Sequence, residues 1–305
     1  MPGARSASKP CGPLRCWRSA TASFSWRTAR WWCRVVERLA ADARAYVLLA
    51  RMWIRVSMSY RTSFVILTVG QFLISGLDFV AILVMFTNID ALGGFSLSEI
   101  AFLYGGSTLC LGLADLILGN IERLGRRIRL GTLDAMMVRP VSVYVQMCAD
   151  EFALRRLGRI TQGGLVFAWS VHALDIDWTA ARLAMVPYLL VFGTAIFLAI
   201  FTMGAAVQFW TADSSELANA FTYGGSTLAQ FPMTIYPTEA IKALTFAVPI
   251  TFVNWYPSLF ILDRQDPLGL PGAVQFGGPV VAALLAVLAA AVWRTGVRHY
   301  RSTGS

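Results

Sequence analysis

The sequence predicts an all-α integral membrane protein. It has six transmembrane helices, cytoplasmic N- and C-termini, an amphipathic interfacial helix near the N-terminus and a re-entrant element before the last span. Three observations predict this. The 305 residues are 56% hydrophobic and only 14% charged, with a mean hydropathy of +0.59, whereas about 25% of an ordinary soluble domain is charged. The apolar residues gather in runs long enough to cross a bilayer. The arginines stand at the ends of those runs and in one long loop between them. With that loop and both termini inside, only Arg182, Lys242 and Arg264 of the 26 basic residues fall outside, as the positive-inside rule requires. The same distribution argues against reading the net charge of +9 as a nucleic-acid surface.

In chain order, residues 1–32 contain Arg and Ser but no acid. They lack the apolar core of a secretory signal, so 1–33 read as a disordered basic tail. Residues 34–61 read as an amphipathic connecting helix. Arg44, Arg51 and Arg55 share one face, and Val47, Leu48, Ala50, Trp53 and Ile54 supply the apolar side, the pattern of a helix lying in the membrane interface. The remainder, 62–301, is the six-span domain. Its first span is 62–86, about 25 residues against a hydrocarbon core of about 30 Å. It carries Gly70, Gly76 and one acid, Asp78. After a polar loop at 87–98, the second span covers 99–119, with Asp115 near its inner end.

The third span, 160–174, is short. It is expected to start earlier, with Arg155, Arg156 and Arg159 snorkelling to the inner interface. His172, Asp175 and Asp177 mark its outer end. The fourth span is 183–209. Two segments compete for the fifth: 212–236, and 240–262, which is broken by Pro249 and Pro257. An internal echo favours the first. Residues 102–109, FLYGGSTL, recur at 221–228 as FTYGGSTL, differing only at the second position. Small residues let helix backbones approach closely in lipid, so Gly105, Gly106, Gly224 and Gly225 read as helix-packing positions. Residues 237–262 then form a broken element that dips back from the outer face and must be covered by protein. The last span, 273–293, ends at Arg294, Arg298 and Arg301.

The loop 121–159 is the one long polar segment between apolar runs. It holds Arg123, Arg126, Arg127, Arg129, Arg139, Arg155, Arg156 and Arg159 with Glu122, Asp134, Asp150 and Glu151. Such a loop reads as the part that a cytoplasmic partner grips. The chain shows no phosphate-binding loop and no catalytic motif of the common hydrolase kinds. Its five cysteines form no CxxC and read as free thiols. No metal site is expected. Asp78 is a functional candidate by default at its depth; the competing reading is a structural acid bonded to a Ser, Thr or Tyr of a neighbouring span.

Several motifs together resemble the permease subunits of type 2 ATP-binding-cassette exporters, the ABC-2 family, in a bacterial six-span branch. They are RLGTLD at 129–134, Val138-Arg139-Pro140, ELANAFTYGG at 216–225, Phe231-Pro232, Ile235-Tyr236-Pro237, Val248-Pro249 and Tyr256-Pro257. The similarity covers roughly residues 44–300. The resemblance implies a coupling helix within 121–159 that docks on a separate ATPase, which binds the ATP; this chain binds no cofactor. It implies a second permease, identical or different, and a place in the bacterial cytoplasmic membrane among its lipids. Gly131, Leu133, Asp134, Arg139 and Pro140 are the expected coupling residues. Asp134 and Arg139 are placed to pair across the interface, and Leu133, Met136 and Met137 to fill an apolar groove. A non-catalytic transport subunit is thus the first expectation. The alternatives are a proton-coupled secondary carrier, which needs more intramembrane charge than Asp78, and a membrane-embedded lipid-modifying enzyme, for which His172, Asp175 and Asp177 offer the one polar cluster.

Overall fold

The computed structural model describes residues 26–150, 154–174, 176–211, 216 and 219–301. Most of the expected tail, Asp175 and the polar start of the fifth segment lie outside these residues. Every regular element among the described residues is helical. Helix α1 (Trp26–Ser59) starts earlier than expected and ends at Tyr60, whose backbone (φ −113°, ψ 59°) leaves the helix before α2 (Arg61–Phe86) begins. By its contacts the chain divides into residues 1–43 and 44–305. The smaller unit contributes the first part of α1, and all that follows belongs to the larger.

The centre of the larger unit is α3 (Leu97–Leu118). Its most apolar window is 83% buried, against 11% for α2, so α3 is the helix on which the others pack. It starts at a capping box: the Ser96 amide donates to Glu99 Oε2 at 2.8 Å. The turn before it closes through Leu92 and Phe95, with Gly93 and Gly94 both at positive φ, the backbone that glycine adopts without steric cost. At the other end of α3, Tyr46 of α1 donates to the Ile117 carbonyl at 2.7 Å.

Helix α7 (Leu157–Ala173) lies against α3 through small residues. A Cβ on Gly105 would stand 2.8 Å from the Phe167 backbone, one on Gly112 2.8 Å from Ile160, and one on Gly163 2.9 Å from Thr108. Helices α8 (Ala180–Val207) and α12 (Gly278–His299) complete the long elements. Four helices, α2, α3, α8 and α12, are long and apolar enough to cross a membrane. The 17 residues of α7 reach about 25 Å at 1.5 Å per residue.

The expected fifth span is not one regular helix among the described residues. A π turn (Ala220–Gly224) leads into the short α9 (Gly225–Ala229), and the chain leaves the helix before Pro232. Proline disfavours helical backbone in the residue before it, which stops α9 there. Beyond it, α10 (Thr238–Lys242) and a second π turn break at Val248 and Pro249; a 3₁₀ turn (Ile250–Phe252) and α11 (Trp255–Leu262) follow. This irregular backbone is covered by protein: Ile250, Val253, Trp255, Tyr256 and Leu259 are at most 2% exposed. Arg264 then clamps the segment to the start of α3, donating to both Glu99 oxygens at 2.8 and 3.0 Å.

The four glycines of the echo are not equivalent. Gly105, Gly106 and Gly225 each leave too little room for a Cβ, whereas nothing lies within 4 Å of the place one would occupy on Gly224. Gly224 therefore makes no close packing contact within this chain, contrary to the sequence expectation. Overpacking a tight site costs about 1–3 kcal/mol. Gly105→Ala is expected to lower the melting temperature of the detergent-solubilised protein, and Gly224→Ala to leave it unchanged; equal melting of the two variants would contradict this packing.

Candidate functional site

The loop 121–159 contains three short helices, α4 (Leu124–Arg129), α5 (Thr132–Met137) and α6 (Val143–Ala149). Gly131 turns the chain between α4 and α5 at φ +66°. Helical spacing puts residues three apart on one face, and here Leu133 and Met136 point inwards, 0% and 7% exposed. They belong to the protein's own core, which corrects the expectation that they present themselves to a partner. Asp134 is also engaged within the chain, accepting from Tyr300 Oη at 2.8 Å. Burial and the Asp134 carboxylate push the Tyr300 phenol up to about 12. What remains outward is a knob at the end of α5: Met137 and Val138, 38% and 87% exposed, followed by exposed Arg139 and Pro140.

The knob has firm roots. Gln146 Nε2 donates to the carbonyls of Met136 (2.9 Å) and Val141 (2.8 Å), one on each side of it. Tyr144, two residues away, shares a hydrogen bond with Thr202 of α8 at 3.0 Å and sets its ring edge-on to Trp293 of α12. Gln208, just past α8, accepts from the Gly125 amide at 2.5 Å and donates to the Glu122 carbonyl at 2.9 Å. These contacts connect the segment that carries the knob to α8 and α12.

A buried ionic cluster lies at the C-terminal end of α3. Arg156 Nε meets Asp115 Oδ2 at 3.0 Å; Nη1 donates to the Asp115 carbonyl (3.1 Å) and Nη2 to Asn120 Oδ1 (3.0 Å). Arg159 stands 3.9 Å from the same carboxylate and lies over the Tyr223 ring, 5.6 Å from its centroid. The sequence suggested that these arginines snorkel. Arg156 instead turns inward, because α7 packs so closely on α3 that Asp115 faces it. Tyr223 Oη donates to Glu122 Oε2 at 3.3 Å, and burial, with the nearby Asp115 carboxylate, pushes the Glu122 carboxyl up.

Above the cluster is a polar cleft of about 370 Å³, lined among others by Asp78, Tyr104, Thr108, Arg159, Tyr223 and Gln230. Both copies of the echo contribute to it. They also touch: Ser107 Oγ donates to the Ser226 carbonyl at 3.2 Å, equivalent positions of the two copies. Asn254, wholly buried, binds the two together by donating to the carbonyls of Leu103 (2.7 Å) and Ala229 (3.1 Å). Asp78 makes no hydrogen bond or ion pair among the described residues. The structural reading of this acid, a bond to a neighbouring span, therefore has no partner here.

A family model described as ABC-2 family transporter protein matches residues 72–304. The chain belongs to the ABC-2 transporter family. No curated protein and no solved structure matches it. As an ABC-2 protein it is a membrane component of ABC transport, a permease and not itself a catalyst, and the family implies association with an ABC ATPase. The match takes in the cleft, the ionic cluster, the knob and the broken segment before α12, and starts within α2, beyond α1. His172 and Asp177 of this permease are exposed, and no group of three metal-ligating side chains occurs among the described residues. Sequence reasoning passed over Asn254 and Gln208. An amide inside an apolar run was the available signal for Asn254; nothing local marked Gln208.

Proposed function

We propose that this chain is the permease subunit of an ATP-driven exporter in a bacterial cytoplasmic membrane. It forms the translocation path with a second permease and couples to a separate ATPase, which binds the ATP, through residues 131–140. The full reading has six spans, both termini cytoplasmic, and residues 237–262 as the re-entrant element. The observation that carries it is the exposed knob Met137-Val138-Arg139-Pro140 in an ABC-2 chain, rooted on both sides by Gln146. A push on the knob reaches α8 through Tyr144 and α12 through Trp293 and Tyr300. The Arg156 cluster joins the start of α7 to the end of α3; in this reading ATPase closure at the knob is carried to the helices around the cleft.

The test is recovery of the partner ATPase by pull-down from detergent. An arginine that only anchors to anionic lipid contributes about 1 kcal/mol and is interchangeable with lysine. A bidentate contact is not reproduced by lysine, and losing a buried charged contact costs about 2–5 kcal/mol. Arg139→Lys is therefore expected to reduce ATPase recovery at least about tenfold, while Arg123→Lys leaves it unchanged. Equal recovery for wild type and Arg139→Lys excludes docking through Arg139.

A further inference from the structure

Asp78 is the unexplained charge of the cleft. It lies on α2, eight residues before the helix ends at Phe86, about 12 Å below that end at 1.5 Å per residue. An acid at such depth faces a cavity or a partner and marks a functional site. No residue of the chain bonds it among those described, and it lines the cleft. The cation on the same cleft is otherwise engaged: Arg159 is drawn to Asp115 at 3.9 Å and covered by the Tyr223 ring.

The surroundings of Asp78 suit one kind of ligand. Of the rings that line the cleft, Tyr104 is 1% exposed and Tyr223 is already covered by Arg159, which leaves Phe231 as the aromatic surface open to a cation. One turn along α2 on the same face, Ile74 is 62% exposed, an apolar track leading away from the carboxylate. The volume, about 370 Å³, falls in the range of small-molecule sites. We propose that the cleft is a binding site for an amine-bearing amphiphile, its cationic head held by the Asp78 carboxylate on the cleft that Phe231 lines and its apolar tail running along Ile74. The assignment rests on the permease reading for the ligand to be cargo. Binding itself is measured without the ATPase, so failure here is distinct from failure of the Arg139 pull-down.

The experiment is equilibrium binding of radiolabelled tetraphenylphosphonium to the full-length chain in phosphatidylcholine nanodiscs, with empty nanodiscs as background. Saturable binding above background is expected. Dodecyltrimethylammonium should displace the probe and dodecyl phosphate should not. Asp78→Asn keeps the side-chain shape without the charge and should weaken binding at least about tenfold, while Asp78→Glu should stay within about threefold of wild type. Binding no greater than to empty nanodiscs, equal displacement by the phosphate, or wild-type affinity in Asp78→Asn would each overturn the proposal. The competition between ammonium and phosphate uses the wild-type protein, so it decides the matter even if a variant fails to fold.

Discussion

Arg156→Met is expected to lower the melting temperature of the detergent-solubilised protein more than any other single change at this end of α3. The Arg156 and Asp115 side chains are only 7% and 9% exposed. Removing one member of a buried ion pair leaves the other charge uncompensated and costs about 3–5 kcal/mol. Here it also takes the donor from Asn120 and from the Asp115 carbonyl. Arg156→Lys should restore little, because one ammonium cannot replace a planar fork that reaches three acceptors. The double variant Asp115→Asn with Arg156→Met should recover part of the loss, since the Asp115 carboxylate, which Arg159 alone approaches once Arg156 is gone, no longer carries a buried charge. Thermal unfolding followed by size-exclusion chromatography reads all three. A single Met variant that melts with wild type would show that the cluster does not hold α7 to α3.

Asn254→Leu is the second large effect. The two side chains branch alike at Cγ, so the change removes hydrogen bonds without opening a cavity. It takes the donors from the Leu103 and Ala229 carbonyls and the acceptor from Ser258 Oγ, 3.2 Å away. Each buried polar group left unsatisfied costs about 1–3 kcal/mol. The Leu103 carbonyl keeps its place in the α3 ladder, which leaves two groups unsatisfied and about 2–6 kcal/mol in all. Ser258→Ala removes one donor and should cost less. Asn254→Gln is no substitute, because a Cβ on Gly106 would already stand 2.7 Å from Asn254 Oδ1 and the added methylene has nowhere to go. The same melting assay applies, and an Asn254→Leu protein at least as stable as wild type would refute the bridging role.

The sequence by itself determined the membrane class, the arginine asymmetry, the family and the order of the main helices. These are sums over local windows: an apolar run of bilayer length is visible without knowing what it touches. α2, α3 and α8 accordingly begin and end within a few residues of where the sequence placed them. The family resemblance also implied a helix within 121–159, where a short one follows Gly131. It did not say which face of that helix is covered, so Leu133 and Met136 could not be told from Met137 and Val138.

The tertiary structure alone decided who meets whom. Asn254 and Leu103 are 151 positions apart, Tyr300 and Asp134 166. No window along the chain contains both partners, and each bond depends on how close two helix axes come. Gly105 and Gly224 occupy the same place in the echoed motif, yet one faces the Phe167 backbone and the other open space. Asp115 and Asp78 are both acids inside apolar runs. One became the centre of an ion pair because the start of α7 brings Arg156 against it, and the other was left facing a cleft whose cation, Arg159, is drawn to Asp115 instead.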